Sequence, residues 1–220
     1  MFSFSCTMQQ ILNQATLYGI VDLGYTPAEK VAATTEALLA GGVRILQLRA
    51  KNVPLPETKV LAKLMQAMCR KAKAIFVLND YPEMAAEIGA DAVHVGQDGG
   101  SLEEVRRIVG KDMLIGRSTH SPEQALAAQA EGADYIGFGP LFPTGTKPGR
   151  PAIGLQDIAK VHEQLPGFPI FCIGGINGTT LPQVLQAGAR RVVIVSWLLQ
   201  QADISGTARE LIRRLHQGGN

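Results

Sequence analysis

Residues Glu131 to Gly139 read EGADYIGFG, and the architecture of the chain can be worked out from this stretch. Its first glycine follows an Ala-rich segment of helical period, and the apolar residues after it resemble a buried strand. Glycine is favoured just past the last turn of a helix, so the stretch marks a passage from helix to strand. The same passage recurs as AGGVRILQLR (40–49), IGADAVHVG (88–96) and AGARRVVIVS (187–196). The chain therefore alternates helices and strands.

Eight apolar runs rich in Val, Ile and Leu are spaced along the chain. They lie at 17–22, 43–49, 74–80, 91–96, 113–118, 133–139, 168–175 and 191–196. Runs that are nearly continuous are typical of parallel strands buried on both faces. We predict an α/β fold, a (β/α)8 TIM barrel, forming a single domain over 1–220 with a short N-terminal extension at about 1–15. An open doubly wound sheet is the competing interpretation, but no GxGxxG motif follows the first run.

Two helix starts are marked by a hydroxyl residue before a proline. Thr26 precedes Pro27, and Ser121 precedes Pro122. A hydroxyl at this position can accept a hydrogen bond from the first helical turn, and proline fits the first helical position. We expect both hydroxyls to cap helices.

Composition excludes several classes of protein. The chain is 46% hydrophobic and 18% charged, which fits a globular protein. Its net charge of +2 does not indicate a surface that binds nucleic acid. Its three cysteines are scattered without a CxxC pair, as in a reducing cytoplasm. We find no signal peptide and no run long enough to cross a bilayer, so we expect a cytoplasmic protein without membrane contact. The sequence is compatible with a homo-oligomer.

The end of the second strand carries a cluster of cations. It reads Gln47-Leu48-Arg49-Ala50-Lys51. Because successive side chains of a strand point to opposite faces, Gln47, Arg49 and Lys51 lie on the same face. In a TIM barrel the active site lies at the strands' carboxyl ends. Two cations there repel each other unless an anion lies between them, and a guanidinium fork beside an ammonium group suits phosphate or pyrophosphate. The alternative is an interior layer of salt bridges with acids from neighbouring strands.

The third and fourth strands end in amides and carboxylates. Asn79-Asp80 ends the third, and Gln97-Asp98 follows the fourth. At a barrel mouth, Asn79 could contact a base edge, and Asp80 could hold a divalent ion, since Mg²⁺ takes a carboxylate or two with substrate phosphates and water. Taken alone, Asn-Asp is a common helix-cap pair.

Hydroxyl and histidine residues follow the fourth and fifth strands. His94 alternates with apolar neighbours, and we expect it to be packed and hydrogen-bonded rather than a metal ligand. Ser118 or Thr119 can donate to an anion, whereas His120 lies near a helix start and either caps the helix or takes part in catalysis. No Ser-His-Asp or Cys-His arrangement stands out.

The last three strands lead into a second anion site. Gly174-Gly175 after the seventh strand lets backbone N–H groups approach a ligand, and the loops after strands seven and eight often form a phosphate site. The loop 137–155 after the sixth strand contains no acid and suits a lid. Two anion sites at one mouth suggest an enzyme that joins or rearranges two phosphorylated small molecules.

The motifs also resemble those of the thiamine phosphate synthase family. The matching stretches include QLRAK (47–51), LND (78–80), VHVGQ (93–97), GADYIGFGPLFPTGTK (132–147) and IGGIN (173–177), and the resemblance runs from about Tyr18 to Ser196. It implies a transferase that condenses 4-amino-2-methyl-5-hydroxymethylpyrimidine diphosphate with a thiazole phosphate, plain or carboxylated. The products are thiamine phosphate and pyrophosphate, and the cofactor is Mg²⁺. The diphosphate leaves first, so no covalent protein nucleophile is implied.

The resemblance also implies roles for individual residues. Gln47, Arg49, Lys51 and Asn79 would bind the pyrimidine diphosphate; Ser118 and Lys147 would contact it or the pyrophosphate; Thr144, Gly145, Thr146, Gly175, Val195 and Ser196 would hold the thiazole phosphate. Of these, Arg49, Lys51, Ser118 and Lys147 form the catalytic set. Asp80 would be a magnesium ligand.

One position departs from the family pattern. The family reads GQED where this chain has Gly96-Gln97-Asp98-Gly99, so glycine occupies the place of the second magnesium ligand and Asp98 lies one residue earlier. A small shift of the loop would let Asp98 serve. The departure leaves two alternatives open: a thiazole tautomerase of the same fold with His120 in proton transfer, and a non-catalytic sensor of phosphorylated ligands. The intact diphosphate residues weigh against the tautomerase, and the absence of an output module weighs against the sensor.

Overall fold

A computed structural model describes residues 4–145 and 151–217 as a closed barrel of eight parallel strands. Each strand pairs with the next one in the chain, and the eighth pairs with the first. The strands are β1 Leu17–Asp22, β2 Ile45–Arg49, β3 Ile75–Asn79, β4 Ala92–Val95, β5 Leu114–Thr119, β6 Tyr135–Phe138, β7 Ile170–Ile173 and β8 Val192–Ile194. The predicted TIM barrel is confirmed, and each predicted strand is present with its ends shifted by three residues or fewer.

Helices follow the strands and pack around the barrel. In the described residues they are α1 Phe4–Gln14, α2 Val31–Ala40, α3 Leu55–Lys71, α4 Pro82–Ile88, α5 Leu102–Val109, α6 Pro122–Ala130, α7 Ile158–Gln164, α8 Leu181–Gln186, α9 Ser196–Leu199 and α10 Ile204–Gln217. In the described part of the chain no helix is long and apolar enough to span a bilayer.

The core has two layers, because successive side chains of a strand point to opposite faces of the sheet. One layer, with Leu46 and Leu48 of β2, lies between the strands and the helices. The other fills the barrel and includes Tyr18, Tyr135 and Phe171. Burial on both faces explains why the strands read as continuous apolar runs.

The N-terminal extension predicted at about 1–15 contains α1. Leu12 of this helix is fully buried and packs with Ile45 and Ile75, which begin their strands. The helix therefore closes the bottom of the barrel, the end opposite the strands' carboxyl termini. We call the carboxyl end the mouth.

The two expected helix caps have different outcomes. Ser121 accepts a hydrogen bond from the backbone of Gln124 and caps α6, as predicted. The prediction for Thr26 is wrong: Pro27 leads into a 3₁₀ turn at Ala28–Lys30 without a side-chain cap, and the Thr26 backbone N–H donates to the Asp22 carbonyl. The Lys30 N–H donates to the Pro27 carbonyl at 2.9 Å, so the chain closes a 3₁₀ turn before α2 begins.

Candidate active site

Two adjoining cavities open at the mouth, and Arg49 and Asn79 line both. The inner cavity lies within the barrel, and its lining includes Gln47, Arg49, Asn79, Ser118, His120, Thr144, Gly175, Val195 and Ser196. The outer cavity lies above β3 and β4, and its lining includes Arg49, Lys51, Asn79, Asp80, Tyr81, Asp98 and Gly99. Most of the residues predicted for the site therefore meet in one place.

Arg49 and Lys51 reach the mouth together, as the period of two predicts, but each has an acidic partner. Arg49 Nη1 donates to Asp22 Oδ2 at 2.8 Å, and Asp22 is 1% exposed. Lys51 Nζ contacts the carboxylate of Asp80. The two cations therefore do not depend on an anion between them, because neighbouring strands supply carboxylates. Arg49 is held by a buried ion pair while it lines both cavities.

Asp22 is a site residue that the sequence argument missed. It ends β1, and its register partner on β2 is Arg49. Its carboxylate also accepts a hydrogen bond from the Gly24 backbone at 2.9 Å. An aspartate at the end of a buried strand, next to a strand that ends in arginine, was the available signal.

Asp80 lies in strained backbone. Its φ is 59° and that of Tyr81 is 54°, both in the left-handed region that is uncommon for residues other than glycine. The Asp80 backbone N–H donates to the His94 carbonyl at 2.8 Å, and its carboxylate accepts from Asn79 Nδ2 at 2.9 Å. Such strain persists where surrounding contacts hold it, often at ligand sites.

Asp98 and Gly99 both line the outer cavity, opposite Asp80. A Cβ added at Gly99 would lie 3.0 Å from Val95 Cβ and 3.2 Å from the Gly96 carbonyl oxygen, so a side chain there requires a small loop movement. Asp98, one position earlier, already lines this cavity. No group of three or more acidic, His or Cys side chains with metal-site geometry occurs within 4–145 and 151–217.

Ser118 lies inside the barrel and is hydrogen-bonded to a histidine. Its Oγ is 3.0 Å from His94 Nε2, and both residues line the inner cavity. His94 is packed and hydrogen-bonded, as predicted, and its ring centroid lies 5.6 Å from that of Tyr135 with the ring planes tilted by 36°. The pairing was missed because 24 positions separate the two residues, although β4 and β5 are neighbours in register.

His120 also lines the inner cavity. Its backbone N–H, not its imidazole, contacts the first turn of α6, where it donates to Gln124 Oε1 at 2.8 Å. The ring nitrogen Nδ1 contacts the carbonyl oxygen of Gly139. Ser121 supplies the hydroxyl cap of α6, and a role of His120 within the cavity stays a prediction.

The loops after β6 and β7 pack backbone against backbone. The N–H of Leu141 donates to the Ile173 carbonyl at 2.8 Å, and that of Phe142 donates to the Gly174 carbonyl at 3.1 Å. A Cβ at Gly174 would lie 2.5 Å from Pro140 Cα, and one at Gly175 would lie 2.6 Å from Phe142 Cβ. The sequence predicts that these two glycines let a ligand approach closely, but the packing of the β6 loop already requires both.

Thr144, Gly175, Val195 and Ser196 line the inner cavity, and their role in holding the thiazole phosphate stays a prediction. Gly145 is placed beside the first loop of the barrel, since a Cβ there would lie 3.2 Å from the hydroxyl of Tyr25. The loop after β6 thus reaches across the mouth to the loop after β1. Thr146 and Lys147 lie outside the described residues.

These features define a class: a (β/α)8-barrel enzyme that acts on small phosphorylated substrates. Residues 17–198 match the family described as thiamine monophosphate synthase. The chain belongs to the thiamine-phosphate synthase family.

Relatives with this name are similar over most of the chain. A thiamine-phosphate synthase of Thermus thermophilus is 48% identical over 182 residues, which are 83% of this chain and 87% of the relative. One from Thermobifida fusca is 40% identical and covers 95% of this chain and 96% of its own length. One from Thermosynechococcus vestitus is 40% identical over 87% of this chain, which spans only 54% of that longer protein.

Solved structures agree with the family. Thiamine phosphate pyrophosphorylase from Pyrococcus furiosus superimposes with a TM-score of 0.84 at 29% identity, covering 96% of this chain and all of its own. A geranylgeranylglyceryl phosphate synthase from Thermoplasma acidophilum reaches a TM-score of 0.69 at 15% identity, covering 99% and 100%, which shows a shared fold only.

Proposed function

We propose that this protein is a thiamine phosphate synthase, which joins the pyrimidine diphosphate to the thiazole phosphate and releases pyrophosphate. The observation that carries the proposal is the pair of cavities that meet at Arg49 and Asn79. One cavity has cations and carboxylates suited to a diphosphate, and the other has the hydroxyls and glycines suited to a phosphate. The two substrates must come into contact to react. The wall that the two cavities share, at Arg49 and Asn79, would bring them together.

The pyrimidine diphosphate would lie across this wall. Its diphosphate would face Arg49 and Lys51, and its ring would enter the inner cavity beside Gln47, Asn79 and Ser118. Lys51 now contacts Asp80, and it would turn to the diphosphate when that substrate binds. Arg49 keeps its geometry through Asp22. Both cations would stabilise the charge that builds up on the departing pyrophosphate.

The thiazole phosphate would occupy the other side of the inner cavity. Thr144, Gly145, Gly175, Val195 and Ser196 would hold its phosphate, together with Thr146. The thiazole nitrogen would then capture the pyrimidinylmethyl cation left by the pyrophosphate. Catalysis by this route consists of positioning and electrostatic stabilisation, without a covalent intermediate on the protein.

The outer cavity has a donor set that fits Mg²⁺. Asp80 and Asp98 face it from two loops, and Mg²⁺ in phosphate-transfer sites commonly uses one or two carboxylates with substrate phosphates and water. Asp80 and Asp98 would hold the ion, which when bound would offset negative charge on the diphosphate. Asn79 supports this arrangement by donating to Asp80.

The two alternatives are not favoured. The similar relatives are named thiamine-phosphate synthases, the similar solved structure is named thiamine phosphate pyrophosphorylase, and the residues suited to a diphosphate line one cavity. A tautomerase has no need of that cavity. We also propose a cytoplasmic location, supported by the buried free thiols of Cys69 and Cys172, whose pKa values burial raises to about 12.

The test is a coupled assay of the purified full chain with both substrates and Mg²⁺. We expect thiamine phosphate and pyrophosphate in equal amounts. A tautomerase would leave the pyrimidine diphosphate unconsumed, and a sensor would bind ligand without turnover. No thiamine phosphate at any magnesium concentration would overturn the proposal.

Lys147 gives a second test of the synthase reaction. We expect Lys147→Ala to impair turnover far more than it impairs binding of the thiazole phosphate, because its charge would serve the diphosphate of the other substrate. Steady-state rates and calorimetric titration with thiazole phosphate measure the two effects. Equal losses in both would remove Lys147 from the catalytic set.

A further inference from the structure

Five polar side chains form one hydrogen-bonded chain from the barrel interior to the mouth. The links are Tyr135 to Tyr18 at 3.2 Å between hydroxyls, Tyr18 Oη to Gln47 Oε1 at 2.9 Å, Gln47 Nε2 to Asn79 Oδ1 at 3.4 Å, and Asn79 Nδ2 to Asp80 Oδ2 at 2.9 Å. The chain crosses β6, β1, β2 and β3, so it connects residues that are far apart in sequence.

The chemistry of its outer end fixes the direction of every link. Asp80 Oδ2 accepts from both Lys51 Nζ and Asn79 Nδ2. Asn79 must therefore turn its NH₂ group to Asp80, which leaves its carbonyl oxygen for Gln47. Gln47 must then donate to Asn79, and its own carbonyl oxygen faces the hydroxyl of Tyr18. Tyr18 is consequently the donor to Gln47.

At the inner end of this series of hydrogen bonds, two features keep the Tyr18 hydroxyl in place as a donor. Burial raises the pKa of Tyr18 and of Tyr135, so both hydroxyls keep their protons. The single hydrogen of Tyr18 is used on Gln47, so Tyr135 is the donor in the contact between the two hydroxyls. The ring of Tyr18 packs edge-on against Phe171 with centroids 5.3 Å apart, which holds the hydroxyl on the side of Gln47.

We propose that Tyr18 is a positioning residue that fixes the side-chain amide of Gln47 with its N–H group, not its carbonyl, available to the substrate. Gln47 Nε2 has a second hydrogen beside the one given to Asn79, and Gln47 lines the inner cavity. The substrate atom that meets it is therefore an acceptor, such as an unprotonated ring nitrogen of the pyrimidine. The inference rests on the proposed function, because it concerns the pyrimidine side of that site.

The experiment is a double-mutant cycle of Tyr18→Phe and Gln47→Ala in the thiamine phosphate assay. Without the Tyr18 hydroxyl, the orientation of the Gln47 amide is held only by its 3.4 Å hydrogen bond to Asn79, so the amide is fixed less firmly. We expect Tyr18→Phe to raise KM for the pyrimidine diphosphate about tenfold, with a smaller change in kcat and no change in KM for the thiazole phosphate. In the Gln47→Ala background, the same substitution should have no further effect on KM. Calorimetric titration with the pyrimidine diphosphate gives the same comparison where turnover is too slow.

Tyr135→Phe is the matched control. It removes a buried hydroxyl from the same cluster but leaves the bond from Tyr18 to Gln47, so KM should change less than threefold. An equal rise in KM for Tyr135→Phe and Tyr18→Phe would overturn the inference, because general packing would then be the cause. An equal rise in KM from Tyr18→Phe in the wild-type and in the Gln47→Ala background would also overturn the inference. If the wild-type protein forms no thiamine phosphate, the proposed function fails, and the titrations decide the role of Tyr18 separately.

Discussion

At the scale of single residues, Asp98 and Gly99 show how one exchanged position changes a site without removing its chemistry. The loop after β4 places both residues on the wall of the outer cavity, so a carboxylate one position earlier still faces Asp80. Glycine at 99 has little room for a side chain, with Val95 Cβ 3.0 Å from where its Cβ would be. The loop thus brings Asp98 to the cavity wall, whereas a side chain at 99 requires a small movement of the loop.

The first prediction concerns Asp98. We expect Asp98→Asn to raise the magnesium concentration needed for half-maximal activity about tenfold or more, because one of two carboxylates near the metal is lost. Initial rates over a magnesium titration measure this. Glu131→Gln, which removes an exposed carboxylate at the bottom of the barrel, should leave the titration unchanged. An unchanged requirement in Asp98→Asn would exclude Asp98 as a ligand.

The second prediction restores the usual pattern. Gly99→Asp in the Asp98→Asn background should bring the magnesium requirement back towards that of the wild type, once the loop moves by a few tenths of an ångström. The same magnesium titration tests it, with thermal unfolding to confirm that the loop change is tolerated. A double variant no better than Asp98→Asn alone would show that position 99 does not reach the ion.

The third prediction concerns His162 of α7. Burial, with the charges of Arg190 and Arg191, lowers its pKa from 6.5 to about 4. Between these values the unfolded chain binds a proton that the folded protein does not. His162 therefore makes the folded protein lose stability as the pH falls from about 6.5 towards 4, and this loss is absent above pH 6.5.

The free energy of unfolding, measured in urea at pH 7, 6 and 5, tests the direction of this pH dependence. His162→Gln should lose less free energy of unfolding than the wild type between pH 7 and pH 5. His216→Gln, at an exposed position of α10, is the control and should follow the wild type. If His162→Gln lost as much free energy of unfolding as the wild type between pH 7 and pH 5, His162 would not be the source of this pH dependence.

At the scale of elements, the loops after β6 and β7 act as one unit. Two backbone hydrogen bonds join them, and Gly174 and Gly175 leave the space that Pro140 and Phe142 fill. The position of Thr144 on one wall of the inner cavity therefore depends on the β7 loop. A change at the glycines should reach the thiazole side of the site through this packing.

The fourth prediction compares two glycines of similar backbone. Gly174 has a φ of 100° and Gly132 one of 93°, but only Gly174 has neighbours where a Cβ would be. Gly132→Ala should cost about 1 kcal/mol from backbone strain alone. Gly174→Ala should cost more than about 2 kcal/mol and raise KM for the thiazole phosphate. Equal losses of unfolding free energy in urea would show that the loops are not held together as described.

The elements of this fold could be predicted from sequence, whereas several partnerships between them could not. Strand and helix positions follow from local periods and glycine signals, which act within a few residues. The pair Arg49 and Asp22, and the pair Ser118 and His94, depend on which strands are neighbours and at which register. The residue types at the mouth were therefore predictable, but the acids that hold the cations were not.

At the scale of the whole molecule, the candidate active site and the helix that closes the barrel lie at opposite ends of the barrel. The mouth carries the strained backbone of Asp80 and the buried ion pair of Arg49. The bottom is closed by α1, whose Leu12 is fully buried among the first residues of the strands. The family match begins at residue 17, so α1 lies before the matched region.

The fifth prediction tests α1 as a stabilising element. Leu12→Ala should lower the free energy of unfolding by about 3 kcal/mol, because it leaves a cavity at the base of the barrel. Its effect on KM should be small, since the mouth is at the opposite end. Val60→Ala, at a side chain that is 67% exposed on α3, should change stability by less than about 0.5 kcal/mol. Urea unfolding and steady-state rates check both, and a large change in KM for Leu12→Ala would contradict this separation.

The bottom of the barrel is also where both ends of the described chain lie. Besides α1, helix α10 runs past the loop before β2, where Arg209 donates to the Ala40 carbonyl and Ile212 lies 3.3 Å from where a Cβ of Gly42 would be. A linker attached before α1 or after α10 would therefore leave from the face turned away from the substrates. Bound to a solid support through such a linker, the enzyme would present its open face to the surrounding solution and remain accessible to both substrates.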